Sequence, residues 1–301
     1  MGRSLTMGIT RLRLAAPATR APGGMTERLG GTTTAMAVEE VVPGVHRLPL
    51  GRGLTETNVY LVESGASWTL VDTGWPQHAR EVLAAAEGLF GTRAAPSGIV
   101  LTHLHPDHSG AAPELVRRWD VPVYLHPDEV PFAGGGYDPE HAHPLDRWVV
   151  GPLLRLLPRQ RVERARARSS LETVAVAYDP NEPLPGLPDW KCVPTPGHTP
   201  GHAAYQRPAD GVLLTGDALL SIDTNSPVGL LTGRQGVHPP PRITTWNWPL
   251  ALASLQHLLA LNPSVVAGGH GPPLAAPAQV PSGAIVSQAH IAVPPDVVST
   301  T

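Results

Sequence analysis

The sequence predicts an α/β fold made of two similar β/α layers packed face to face. Three observations predict it. Short apolar strands begin at Val41 and alternate with segments of helical spacing. That succession occurs in each half of the chain. Finally, the residues best suited to chemistry, His103 to His108, Asp217 and His270, each follow a predicted strand.

The elements follow in order. VVPGVHRLPL, TNVYLVES and SWTLVDTG read as strands, separated by turn signals at Pro43-Gly44 and Gly65. PQHAREVLAAAEGLF has helical spacing, with Val82, Leu83, Ala86 and Leu89 or Phe90 on one face. SGIVLTH is an apolar strand, SGAAPELVRRW a helix and VPVYLHP a further strand. Between Asp128 and Trp190 the pattern is less regular. It holds a helix, PLDRWVVGPLLRLL, an arginine-rich stretch, PRQRVERARARSS, a strand, ETVAVAY, and a proline-rich loop, DPNEPLPGLPDW. KCVPTPGHTPGHAAYQRPADGVLLTGDALL then reads as strand, turn, strand, turn, strand. TWNWPLALASLQHLLALN is the last strong helix, and PSVVAGGHG a strand ending at His270.

Composition narrows the function classes. The chain has 301 residues, 42% of them hydrophobic, and a net charge of -3. Nothing in that balance calls for nucleic acid or a membrane surface. No apolar run reaches the roughly 18 residues of a membrane span. Cys192 is the single cysteine, which excludes an internal disulfide framework and fits a reducing, cytoplasmic setting. Lys191 is the only lysine, so arginine enrichment alone carries little weight. A disordered leader is expected over 1–38, one catalytic domain over 39–275 and a proline- and alanine-rich tail over 276–301.

The run THLHPDHSG crowds His103, His105, Asp107 and His108 into a tight loop between a strand and a helix. Imidazole and carboxylate together suit zinc and other first-row metals. His198 lies in a strand-to-strand turn, TPGHTPGH, while Asp217 and His270 end strands. Seven such residues at strand ends suggest two adjacent metal sites.

This ordered set resembles the metallo-β-lactamase fold superfamily of metal-dependent hydrolases. The match comprises the H-x-H-x-D-H run, the histidine of PGHTPGH, the aspartate of GD, the histidine of GHG, and LVDTG upstream. The resemblance spans about Val41 to Pro273 and implies a four-layer αββα sandwich of two mixed sheets. It implies that His103, His105 and His198 bind one metal, that Asp107, His108 and His270 bind a second, and that Asp217 bridges them. Asp72 would orient the ligand loop from behind. The cofactors implied are two divalent ions, zinc first, with iron or manganese as alternatives. A hydroxide shared by the two ions would attack the substrate, with Asp107 or Asp217 moving the proton.

His202 reads as a brace for its turn. His238, in a proline-stiffened loop, and Tyr205 are candidate substrate contacts. The segment from about 128 to 190 is the expected lid. Its arginines between Arg147 and Arg168 read as a solvated helix face.

Absent features narrow the branch. The stretch after His270 is short and proline-rich where glyoxalase II-type thioesterases carry a glutathione-binding helical domain, so a glutathione thioester is not the expected substrate. The stretch between Asp217 and His270 is too short for a large cap, and the flavodiiron pattern, with an acid in place of the second histidine, is not matched. The zinc β-lactamases differ in their ligands. What remains is similar to lactonases and general metallo-hydrolases: an enzyme acting on a small-molecule ester, lactone or thioester. A mononuclear iron oxidoreductase of the persulfide dioxygenase kind and a compact ribonuclease stay open. A homodimer is compatible with the sequence.

Overall fold

The computed structural model describes residues 38–135 and 140–275. The expected leader, apart from Val38, and the expected tail lie outside the described residues.

In the first half, β1 (Glu39–Val42), β2 (Val45–Leu50), β3 (Thr57–Ser64) and β4 (Ser67–Val71) form an antiparallel meander. β5 (Ile99–Val100), β6 (Val123–Leu125) and β7 (Ala175–Ala177) extend it in parallel, giving one seven-stranded sheet. Parallel neighbours need long crossovers. α1 (Ala79–Phe90) supplies the first, and α2 (Pro106–Ser109) with α3 (Ala112–Trp119) the second.

The third crossover is the segment expected as a lid. Its helix begins as a wide π-type turn, Asp146–Val150, and continues as α4 (Gly151–Leu156). The arginine-rich stretch is α5 (Arg159–Ser169), which buries none of its residues, as a solvated helix should.

The second half begins with β8 (Pro183–Leu184), β9 (Leu187–Pro194), β10 (Ala203–Arg207) and β11 (Val212–Gly216), all antiparallel. β12 (Leu220–Ile222) and β13 (Gln235–His238) pair only with each other, around the short helix α6 (Pro227–Thr232). α7 (Trp248–Ala260) then crosses over to β14 (Val265–Gly268), which lies parallel to β11, and β15 (Leu274–Ala275) closes the six-stranded sheet.

Side chains alternate across each strand, so every strand faces two layers. Tyr60, Val62, Val71 and Val100 meet Leu187, Trp190, Tyr205 and Leu214 between the sheets. Leu61, Leu70 and Leu101 point the other way, against Val82 and Ala86 of α1 and Leu115 of α3. Leu213 and Val266 pack on Leu255 and Leu258 of α7. The result is the expected αββα sandwich.

One expectation is corrected. DPNEPLPGLPDW is not a loop but contains β8, the turn at Gly186 and the start of β9. Leu184, Leu187 and Trp190 are buried between the sheets, and that burial outweighs the proline content. β8 is an edge strand, where a proline costs no ladder hydrogen bond.

Candidate metal centre

β4 and β5 are parallel neighbours in the first sheet, β11 and β14 in the second, and site residues follow the ends of all four. Asp72 ends β4, and the run from His103 follows β5. Asp217 follows β11 and His270 follows β14. His198 sits in the β9–β10 turn. Pro106 opens α2 with a backbone already set for the helix, so His108 falls on its last turn.

The seven residues expected as ligands converge. Three groups each place their ligand atoms within 4.8 Å of one another: His103, His105 and His198; His103, His108 and Asp217; Asp107, His108 and His270. Asp217 stands between the groups. Its Oδ2 lies 3.3 Å from Nε2 of His198, and its Oδ1 lies 3.3 Å from Nε2 of His108 and 3.4 Å from Nε2 of His270. Asp107 Oδ2 is 3.4 Å from His270 Nε2 and 3.8 Å from His108 Nε2.

The residues behind the site fix which nitrogen carries the proton in four of the five rings, those of His103, His108, His198 and His270. Asp72 Oδ2 accepts from His108 Nδ1 at 2.8 Å. The Thr102 hydroxyl donates to Asp72 at 2.9 Å, so it accepts from His103 Nδ1 at 3.1 Å. The Thr245 hydroxyl donates to the Pro241 carbonyl at 2.7 Å, so it accepts from His198 Nδ1 at 3.0 Å. The Glu56 carbonyl accepts from His270 Nδ1 at 2.5 Å. With Nδ1 as donor, each neutral ring turns an Nε2 lone pair toward the carboxylates.

Lone pairs aimed at carboxylate oxygens need a cation or a proton between them. Accordingly, Nε2 of His103, His108 and His198 and Oδ1 of Asp217 are buried with no hydrogen-bond partner. Orphaned buried polar atoms are rare in ordinary structure. Nitrogen and carboxylate donors in this arrangement fit a first-row divalent ion.

Charge without the cations is divided unevenly. Burial holds His103 and His198 well below the usual histidine value, with the neighbouring imidazoles adding to it. Burial likewise lowers His105 to about 4. Burial also disfavours charge on His270, yet Asp217 and Asp107 outweigh it and push His270 up to about 10. His108 is raised in the same way. Protons on these two rings balance the carboxylates where cations would otherwise do so.

The supporting positions are close-packed. A Cβ on Gly269 would collide with Asp217 Oδ1 and with His108 Cε1. Asp72 itself has φ 60°, in the left-handed region that Asp and Asn tolerate best.

His202 is a brace. Its Nδ1 bonds Thr195 Oγ1 at 2.7 Å, and its Nε2 accepts the Asp217 backbone N–H at 3.1 Å. Tyr205 is corrected: it is fully buried between the sheets, and its hydroxyl donates to the Leu101 carbonyl at 2.6 Å. It has no surface for a substrate. His238 lies on β13 opposite Leu220, with a buried Nε2 that has no partner. From the inserted segment, His143 reaches the site, its ring 5.2 Å from that of His105. Sequence reasoning missed Thr102, Thr245 and Glu129, because lone threonines and a lone glutamate carry no spacing signal.

Comparisons with known proteins agree with this geometry. A model of the metallo-beta-lactamase superfamily matches residues 52–270. The probable metallo-hydrolase YflN of Bacillus subtilis (strain 168) is 33% identical over 239 residues, covering 78% of this chain and 86% of its own. The crystal structure of the metallo-beta-lactamase family protein TTHA1429 from Thermus thermophilus superposes with a TM-score of 0.59 at 25% identity. It covers 83% of this chain and 81% of that one. AidC, a dizinc quorum-quenching lactonase, shares the fold with a TM-score of 0.52 at 18% identity, over 72% of this chain and 73% of its own.

Proposed function

Because the chain belongs to the metallo-beta-lactamase superfamily and is a metal-dependent hydrolase, we propose that it uses two divalent ions to hydrolyse a small-molecule ester, lactone or thioester. The observation that carries this reading is the pose of Asp217. One carboxylate oxygen faces His198 and the other faces His108 and His270. A group serving one ion would not need to be shared in this way.

In this reading His103, His105 and His198 hold the first ion, Asp107, His108 and His270 the second, and Asp217 both. When bound, the ions supply Lewis acidity that lowers the pKa of a coordinated water and polarises the substrate's carbonyl. The protein's part is orientation and proton traffic. Asp72, Thr102, Thr245 and the Glu56 carbonyl keep the rings aimed. The Asp107 side chain is 18% exposed where that of Asp217 is 3%, so Asp107 is placed to pass a proton to solvent. The inserted segment meets the site at His143 and serves as the selectivity element. His238, half-buried on β13, is a second candidate substrate contact.

Zinc is proposed as the first ion to test, in a cytoplasmic enzyme. Among the described residues no helix is long and apolar enough to cross a membrane.

The test combines metal analysis of protein purified without added metal with a panel of lactones, esters, thioesters and phosphodiesters. The expected result is two ions per chain and turnover of a carboxylic ester, lactone or thioester. Asp217→Ala should lower that turnover by about three orders of magnitude or more, a loss of about 4 kcal/mol of barrier stabilisation, with an unchanged circular dichroism spectrum. One iron per chain with no hydrolysis would instead support the persulfide dioxygenase kind of chemistry.

A further inference from the structure

We propose that Glu129 is a positioning residue of the metal centre, a buried carboxylate that clasps the two loops carrying His103, His105 and His198. The inference rests on the reading of those histidines as ligands.

Glu129 follows β6, opens the inserted segment and is 1% exposed. Its Oε2 accepts the backbone N–H of Leu104 at 3.2 Å. Leu104 is the residue between His103 and His105. Glu129 Oε1 accepts the Gly201 N–H at 3.0 Å and the Thr199 hydroxyl. Thr199 follows His198 directly in the β9–β10 turn, and Gly201 lies two residues further on. One side chain therefore ties a loop of the first sheet to a turn of the second, and both loops present their rings to the same three-histidine group.

The chemistry of the partners explains why this side chain is a carboxylate. All three are donors, and only an acceptor-only group satisfies them together. A glutamine would turn its NH2 toward one of these donors. An apolar residue would leave two backbone N–H groups and a hydroxyl buried without partners. The fit is close: a Cβ on Gly201 would stand 2.5 Å from the Glu129 backbone nitrogen. Gly201 is thus required by the close approach of the backbone at 128–129. Burial pushes the Glu129 carboxyl up to about 7, and its hydrogen bonds to Thr199, Gly201 and Leu104 oppose that shift. A hydrophobic residue would avoid this desolvation but could not hold the loops.

Among the described residues, His105 has no counterpart to the carboxylate, hydroxyl or carbonyl acceptors that orient the other four rings. His105 is instead boxed by the rings of His103, His143 and His198, at centroid distances of 4.7, 5.2 and 4.5 Å. Its aim therefore depends on where its backbone is held, and Glu129 holds the adjacent Leu104 N–H.

The test uses the full chain, stripped of metal and titrated with zinc against a chromophoric chelator. Cobalt-substituted protein supplies a d–d absorption spectrum of the site. Glu129→Gln should weaken one of the two zinc equivalents by about 10–100-fold, leave the other near its wild-type value and shift the cobalt bands. Thr199→Val, which removes one of the three donors, should do the same more weakly. Unchanged zinc affinities and cobalt bands in Glu129→Gln would overturn the proposal. So would a uniform loss at both sites that only tracks lost stability. Should Glu129→Gln not fold, Thr199→Val decides, and wild-type affinities and bands in it overturn the proposal. If the wild-type chain binds no zinc, the ligand assignment itself fails, and Glu129 has no centre to position.

Discussion

Asp72 is the residue on which most of the hydrogen bonding behind the site converges. It accepts from His108 directly and from the Thr102 backbone N–H at 2.8 Å, and reaches His103 through the Thr102 hydroxyl. Asp72→Asn keeps the size and suits the same left-handed backbone, so it isolates the loss of an acceptor. Metal affinity should fall by about 10–100-fold in a chelator competition, with little change in the fold. An undiminished affinity would show that Asp72 orients nothing. His270 supplies a pH test. Its raised value means that its proton stabilises the metal-depleted fold fully below about 6.5. That contribution is lost as pH rises through about 10. A cation entering beside Nε2 must expel this proton. His108 is raised too, so zinc affinity should climb with pH by up to about tenfold per unit for each of the two protons expelled. A flat profile would contradict the charge assignment.

At the scale of elements, α7 anchors the His198 turn. The Trp246 N–H donates to the His198 carbonyl at 3.1 Å, and the Asn247 N–H donates to the Gly197 carbonyl at 2.8 Å. Asn247 caps the helix by accepting the Leu250 N–H at 3.2 Å. Asn247→Ala should cost about 1 kcal/mol in denaturant unfolding, with wild-type zinc stoichiometry. A neutral substitution would mean that the cap is not formed in solution.

The elements also show what was legible in the sequence. β2, β3 and β4 were readable as short apolar runs bounded by turn residues, because both of their faces are buried, and α7 because its buried residues recur at helical spacing. The ligands were readable because strand ends deliver them. β8 and the start of β9 were hidden behind prolines, whose cost disappears on the edge strand β8 and where β9 extends beyond its pairing with β10. β12, α6 and β13 were not read, although Ser226 before Pro227 is a helix-start signal and the Ser226 hydroxyl caps Gly229. Tyr205 was misplaced because strand alternation separates two faces without saying which one holds the site. Glu129 was illegible because its Thr199 partner lies 70 residues away.

Across the whole molecule, the centre joins the two halves. His103, His105, Asp107 and His108 come from the first sheet's connections, and His198, Asp217 and His270 from the second's. Direct clamps lie beneath them. Asn58 Nδ2 donates to the Gly268 and Gly271 carbonyls at 2.8 and 2.6 Å, and Tyr60 donates to Gly268 at 2.7 Å. Ions held only by the assembled halves stabilise the folded state by mass action, about 2.7 kcal/mol at a hundredfold excess over Kd. The melting temperature should rise with free zinc and fall after exhaustive chelation. A melting temperature indifferent to zinc would mean that the ions do not bind across the halves.

The count of ions tests the central claim most directly. Wild-type protein and Asp217→Ala are dialysed to equilibrium against zinc, and metal per folded chain is measured. The account predicts two zinc ions in the wild type and fewer than two in the variant at the same free zinc. A wild type that saturates at one or none, or a variant that holds two as tightly, would contradict it.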